Sequence, residues 1–214
     1  MANLPMGIGV TEDQLHPHTT LRMSQMLHPV QADPDSLFIV ADTLPSGTAM
    51  VPQVLTLAAN GSMPSLQNVV VELETSGVAG TRTVNGFITY INNLGVLINE
   101  AFTFTQTATL TGNFFTQYPV FRVLSAVVNL STNVDAGDRI SVGVKFTAAS
   151  TKFALPQNVR TTSEIVAVRQ TAFATFVAVN PTTGTLDLVT NSIRNITGVA
   201  SGDILWLMAR RATP

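Results

Sequence analysis

No cysteine occurs among the 214 residues. That excludes a disulfide framework, a cysteine nucleophile and any zinc site built on thiolates. It also fits assembly in a reducing compartment. Charge is scarce: Asp, Glu, Lys and Arg together make up 11% of the chain, against roughly 25% in an average soluble domain. Lys145 and Lys152 are its two lysines and the net charge is −2. With no basic run and no arginine cluster, the electrostatic footprint of nucleic-acid binding is missing. No run approaches the ~20 apolar residues that a membrane-spanning helix needs. Residues 1–10 lack the basic start and long apolar stretch of a signal peptide. The expectation is a chain made in the cytoplasm and kept there until assembly or lysis, with no membrane partner.

Thr, Asn, Ser, Gln and Gly stand where the charge is missing. Interface cores are depleted in Lys, Glu and Asp, so a polar but weakly charged surface suits a protein held against copies of itself or partners.

Catalytic signatures are equally sparse. All three histidines (His16, His18 and His28) fall within residues 1–36, away from any scaffold that could seat a Ser/His/Asp triad. Gly-x-Ser-x-Gly, the phosphate-binding Gly-x-x-x-x-Gly-Lys-Ser/Thr and a Gly-x-Gly-x-x-Gly unit between strand and helix are all absent. His16-Pro17-His18 together with His28 could hold a transition metal, but two histidines flanking a proline are a low-specificity signal, and an arm at an interface or in solvent accounts for them better. Of the acids Glu72, Glu74, Glu100, Asp138 and Glu164, the first two lie about 7 Å apart along one strand face. That spacing suits an acid/base pair, and equally any solvent-facing strand. With one Trp and two Tyr in the chain, a sugar-binding groove has little to stack on. The expectation is a protein that is not an enzyme and carries no cofactor or metal.

Residues 1–36 hold Pro5, Pro17, Pro29 and Pro34 and four of the seven methionines. The prolines block ladder hydrogen bonds and interrupt helices. A short helical turn is possible over residues 21–27, where Leu21, Met23, Met26 and Leu27 are apolar. The segment reads as an extended arm, and methionine adapts to irregular apolar surfaces, so the arm should lie on its own domain or on a neighbour. From residue 37 onward strands follow one another: 37–41, 53–59 (Val54, Thr56 and Ala58 on one face), 69–73, 83–91 (Phe87, Thr89 and Ile91 on one face), 96–105, 120–130, 139–146, 164–168, 173–179, 186–190 and 204–208. Asn92-Asn93-Leu94-Gly95 closes a hairpin, and Asn180-Pro181-Thr182-Thr183-Gly184 is a turn. Phe114, Phe115 and Tyr118 fall in a loop, either as interface anchors or as a plug at the end of the fold. An internal echo pairs Gly137-Asp138 with Gly202-Asp203, each launching an apolar strand. Calcium ligation by Asp135, Asp138 and Asp203 is the functional reading, and paired turns are the favoured one.

Short strands with frequent turns and no amphipathic helix predict an all-β fold: an antiparallel β-sandwich, jelly-roll-like, with an extended N-terminal arm. The division is 1–36 for the arm and 37–214 for the sandwich. Whether 161–214 is a separate unit stays open, with a single sandwich preferred.

The runs Gly80-Thr-Arg-Thr-Val-Asn-Gly-Phe-Ile-Thr-Tyr-Ile, Asn99-Glu-Ala-Phe-Thr-Phe-Thr, Phe121-Arg-Val-Leu-Ser-Ala-Val-Val, Gly137-Asp-Arg-Ile-Ser-Val-Gly143 and Lys152-Phe-Ala-Leu-Pro156 resemble small β-sandwich proteins of tailed-bacteriophage heads, the capsid decoration or cement proteins. The likeness spans roughly residues 69–156 and rests on strand rhythm, the Gly-Asp turn and the Lys-Phe-x-Leu-Pro exit. It transfers no catalytic residues. It implies a structural virion protein on the capsid exterior, assembled in the host cytoplasm, that bridges subunits of the major capsid protein as a homotrimer. Interface candidates are Met6, Leu21, Met23, Met26 and Leu27 in the arm, and Phe114, Phe115 and Tyr118 in the body. The alternatives are a receptor- or glycan-binding fibre or tail module, and a head–tail structural component.

Overall fold

The computed structural model describes residues 20–30, 42–44, 47–49, 52–56, 62–76, 80–107, 111–156, 158–171 and 175–213. In chain order its strands are β1 (Thr20–Pro29), β2 (Asp42–Thr43), β3 (Gly47–Ala49), β4 (Gln53–Val54), β5 (Ser62–Gln67), β6 (Val70–Glu74), β7 (Thr81–Asn92), β8 (Leu97–Thr107) and β9 (Thr111–Phe115). These are followed by β10 (Val120–Val134), β11 (Arg139–Gly143), β12 (Phe153–Ala154), β13 (Ile165–Gln170), β14 (Phe176–Val179), β15 (Thr185–Asp187), β16 (Ser192–Arg194) and β17 (Ile204–Thr213). Two single-turn 3-10 segments, Thr162–Glu164 and Pro181–Thr183, punctuate the second half.

Period-two burial drives the assembly. Along β7, Arg82, Val84, Gly86, Ile88, Tyr90 and Asn92 are buried, while the residues between them are exposed or half-buried. β8 answers with Phe102 and Phe104 inward and Ala101, Thr103 and Thr105 outward. The chain is an antiparallel all-β protein of three sheets. The largest runs β15-β16-β12-β5-β10-β7-β8, with β3 and β4 also pairing with β10. A second sheet, β2-β11-β6-β9, covers its β10-β7-β8 end. Val71, Leu73, Ile140 and Val142 of that sheet share a core with Val84, Ile88, Tyr90, Phe102 and Val123. The third sheet, β1-β17-β13-β14, encloses a second core in which Leu205, Leu207, Ile165 and Ala167 meet Phe153 and Ile193. Each such fully buried aliphatic or aromatic side chain is worth about 1.5–3 kcal/mol. Two sandwiches therefore share one long sheet. Within residues 161–213, β15 and β16 extend the shared sheet, while β13, β14 and β17 build the third.

Several local readings change. Residues 21–27 form no helical turn: β1 pairs with β17 without a break, from Thr20↔Thr213 to Pro29↔Ile204. Ten residues of ladder outweigh a short helical preference, and Pro29 is tolerated because β1 is an edge strand. Val54 and Thr56 face water while Leu55 is buried and donates its N–H to the Ala126 carbonyl at 2.9 Å. The strand over 186–190 stops at Asp187, whose Oδ1 accepts the N–H groups of Val189 and Thr190 at 3.1 Å each and turns the chain. Phe114 and Phe115 belong to β9, opposite Val71 and Val70 of β6. The run 37–41 lies outside the described residues.

The two Gly-Asp turns are built alike. Gly137 and Gly202 adopt φ +100° and +89°, a conformation natural to glycine. Asp138 Oδ2 accepts the Asp135 N–H, and Asp203 Oδ2 the Ala200 N–H, both at 2.9 Å. The carbonyls of Asp138 and Asp203 accept N–H groups from Leu44 and Val30, which tie the incoming segments to the sheet.

Candidate interaction surface

The groups that could perform chemistry are pinned to structural partners. Asp138 is fully buried. Burial alone would raise its pKa, but N–H donors from Ser76 and Asp135, the Ser76 hydroxyl and Arg82 outweigh it and hold the carboxyl below the usual range. Arg82 bridges Asp138 (Nε to Oδ2, 2.7 Å) and Asp135. Asp203 meets Arg169 at 3.4 Å. The carboxylates read as calcium ligands thus accept bonds from arginine and backbone. Glu72 is engaged by Lys145, which also bonds Asn113, so the Glu72/Glu74 pair forms no coupled dyad. Glu100 accepts the Tyr90 hydroxyl at 2.7 Å and the Gln117 N–H. Burial first, and then the adjacent Glu100, push the Tyr90 phenol far above its ordinary value, so Tyr90 remains a protonated donor. Among the described residues no three of His, Cys, Asp and Glu cluster as a metal site would require.

His28 sits in the second core, fully buried, with Nε2 bonded to the Ala154 carbonyl at 2.9 Å and its ring 5.4 Å from Phe153. Desolvation lowers its pKa to about 4, despite the bond to Ala154 that raises it. Folded His28 is therefore neutral and donates through Nε2. Below the unfolded value of about 6.5, the unfolded chain binds a proton that the folded chain refuses. Stability is full above that pH and falls as the pH drops towards 4. The expected loss over this window is about 3 kcal/mol, at 1.36 kcal/mol per pKa unit. Urea titrations at pH 7, 5.5 and 4.5 should show this slope in the wild type and not in His28→Gln. An equal slope in both would reject the assignment. His16 and His18 lie outside the described residues.

The proposed interface residues that the structure describes fall on different elements. Met6 lies outside the described residues; Leu21, Met23 and Leu27 take positions on β1 opposite Ala212, Arg210 and Trp206, and Met26 is half-buried. Phe114 and Tyr118 are half-buried against the first core, with the Phe114 ring 6.1 Å from Phe102. Phe115 is half-buried at the end of β9. Phe114 and Tyr118 thus serve packing within the protein.

Among the described side chains, the large exposed apolar ones lie elsewhere. On the side of β10-β7-β8 turned away from the core, Val54, Val127, Phe87 and Ala101 form one row across β4, β10, β7 and β8. Arg122, Ile91 and Leu97 form another, with Ser125, Thr89 and Asn99 between them. Register breaks in β10 between Val120 and Arg122, and between Val123 and Ser125, leave Phe121 and Leu124 unpaired. Such bulges re-aim side chains, and here Phe121 is 57% exposed and Leu124 39%. Val54, Phe87 and Leu97 are exposed as well. Arg122 is the single charge in these rows. The alternation of Phe87, Thr89 and Ile91 was visible in the sequence, but not that it faces water.

A second apolar patch lies on the outer side of the third sheet. Exposed Phe176 stands 6.5 Å from the Trp206 ring, and the two line a shallow pocket with Val168 and Met208. Trp206 Nε1 has no hydrogen-bond partner there.

The chain matches no family model, no curated protein and no solved structure.

Proposed function

We propose that this protein is a structural virion component that decorates a phage capsid and stabilises it by bridging major capsid subunits, without enzymatic activity. The observation that carries the proposal is the broad outer face of β10-β7-β8, where Val54, Phe87, Leu97, Phe121 and Leu124 are exposed among Thr, Asn and Ser with Arg122 as the only charge. A broad, weakly charged face with polar residues around its apolar side chains suits docking on another protein. The resemblance over residues 69–156 supplies the capsid as partner. A protein that binds only the assembled shell raises the stability of that shell by mass action, and many copies on one lattice gain avidity from weak contacts.

The test is co-sedimentation of the full-length protein with purified capsid shells. Phe87→Asp/Leu97→Asp places two charges on the outer face and leaves both cores untouched, so it should fold and bind at least ten-fold more weakly. Unchanged occupancy would sink the proposal. The aromatic pair Phe176 and Trp206 favours the second reading, a glycan-binding fibre or tail module. Saturable binding to host glycans, lost in Phe176→Ala, would put it in first place.

A further inference from the structure

The edge of β8 is defined by its hairpin. The Asn92 N–H donates to the Val96 carbonyl at 2.9 Å, which makes Asn92 and Val96 a hydrogen-bonded pair. In an antiparallel ladder such pairs alternate with non-bonded ones. The register between β7 and β8 is unbroken from Ile91↔Leu97 to Thr81↔Thr107. Ile98, Glu100, Phe102, Phe104 and Gln106 therefore bond to β7. Leu97, Asn99, Ala101, Thr103, Thr105 and Thr107 aim their N–H and C=O groups the other way. β8 is the last strand of its sheet, and no described residue bonds to those groups.

An open edge invites pairing with another chain, and proteins blunt edges by shortness, Lys, Pro or bulges. The other edges here follow that rule. β2, β15, β14 and β9 have two, three, four and five residues, while β1 carries Arg22 and ends in Pro29. β8 has 11 residues with no Lys, Arg or Pro and no bulge. Its one acid, Glu100, is turned inward and held by Tyr90 and Gln117.

The edge is also complementary to itself. Antiparallel pairing with a second copy about a two-fold axis at Phe102 sets Leu97 opposite Thr107, Asn99 opposite Thr105, and Ala101 opposite Thr103. Every outward-aimed residue then falls in a hydrogen-bonded pair, and no charge meets a like charge. All six are exposed in the single chain. We infer that two copies of this chain associate through β8, edge to edge about an axis at Phe102, joining their long sheets into one. Such a contact is isologous and yields a dimer in place of the trimer that the resemblance implies. It goes beyond the capsid proposal and is tested without shells.

Sedimentation velocity on the full-length protein across a concentration series should show a monomer–dimer equilibrium. Ala101→Lys brings two lysines near each other across the axis, and Thr103→Glu does the same with two acids. Each should weaken dimerisation at least ten-fold, while thermal melts taken at concentrations low enough for the wild type to be monomeric stay unchanged. An equimolar mixture of the two variants should regain the dimer to within a few-fold of wild type, because the new lysine faces the new glutamate. A wild type that stays monomeric, a trimer, or a mixture that stays monomeric overturns the inference.

Discussion

Arg82→Leu is expected to destabilise the protein by about 3–5 kcal/mol, the usual consequence of removing one partner from a buried ion pair. The total stability of a domain is about 5–15 kcal/mol, so the urea midpoint should fall by about a fifth or more. The reason lies in what remains. Arg82 is 1% exposed and the Asp138 carboxylate is fully buried. Without the guanidinium, Asp138 keeps its charge among the Ser76 and Asp135 donors and loses its counter-ion. Removing Asp138 as well should not restore stability, because those donors and the turn they organise would be stripped of their acceptor. The similar turn at Asp203 provides the control. Arg169 reaches its carboxylate only at 3.4 Å and is 28% exposed, although Asp203 is 8% exposed, so Arg169→Leu should cost less than Arg82→Leu. Equilibrium unfolding of the three variants decides the matter. A loss below 1 kcal/mol for Arg82→Leu would show that water reaches this pair.

Gly86→Ala should be comparably damaging, at about 3 kcal/mol or more. Overpacking a core typically costs 1–3 kcal/mol, and here the backbone must also give way. A Cβ at position 86 would lie 2.2 Å from the Val127 carbonyl oxygen and 2.3 Å from Phe102 Cζ. Gly86 sits between Val128 of β10 and Phe102 of β8, so relief requires opening the centre of the long sheet. Phe102 has no room to retreat, being 1% exposed with its ring 5.6 Å from Phe104 and 6.1 Å from Phe114. Gly112→Ala is the informative comparison. Its nearest obstacle, at 2.6 Å, is the end of the Gln106 side chain, which can swing aside, and the buried Phe104 ring follows at 2.9 Å with no backbone atom in the way, so its cost should be smaller. Thermal unfolding of both variants tests the ranking. Equal losses would mean that the β10-β7-β8 centre is more pliable than its packing indicates.

Legibility differed from element to element. The β7–β8 hairpin was readable because its signals are local: alternation on both strands and an Asn-rich loop ending in Gly95, which takes φ +78°. The Gly-Asp turns were readable for the same reason. β5 was not, since Ser62–Gln67 carries Pro64 and no clean alternation; it is a strand because β10 and β12 lie beside it. β9, β12 and β16 are likewise short segments that become strands through their partners β6, β5 and β15. The candidate interface was the least legible. Both faces of β7 carry apolar residues, and a pattern of period two shows that they differ without showing which one meets the second sheet.

The residues by themselves determined the all-β class, the absence of thiol chemistry, the low surface charge and the positions of the tightest turns, because composition and local backbone preference act over a few residues. Tertiary structure decided that β1 joins β17 across most of the chain, that Arg82 and His28 are buried, and which side of β10-β7-β8 faces water. Those outcomes depend on which distant segments exclude water together, and that is settled only when the sheets pack.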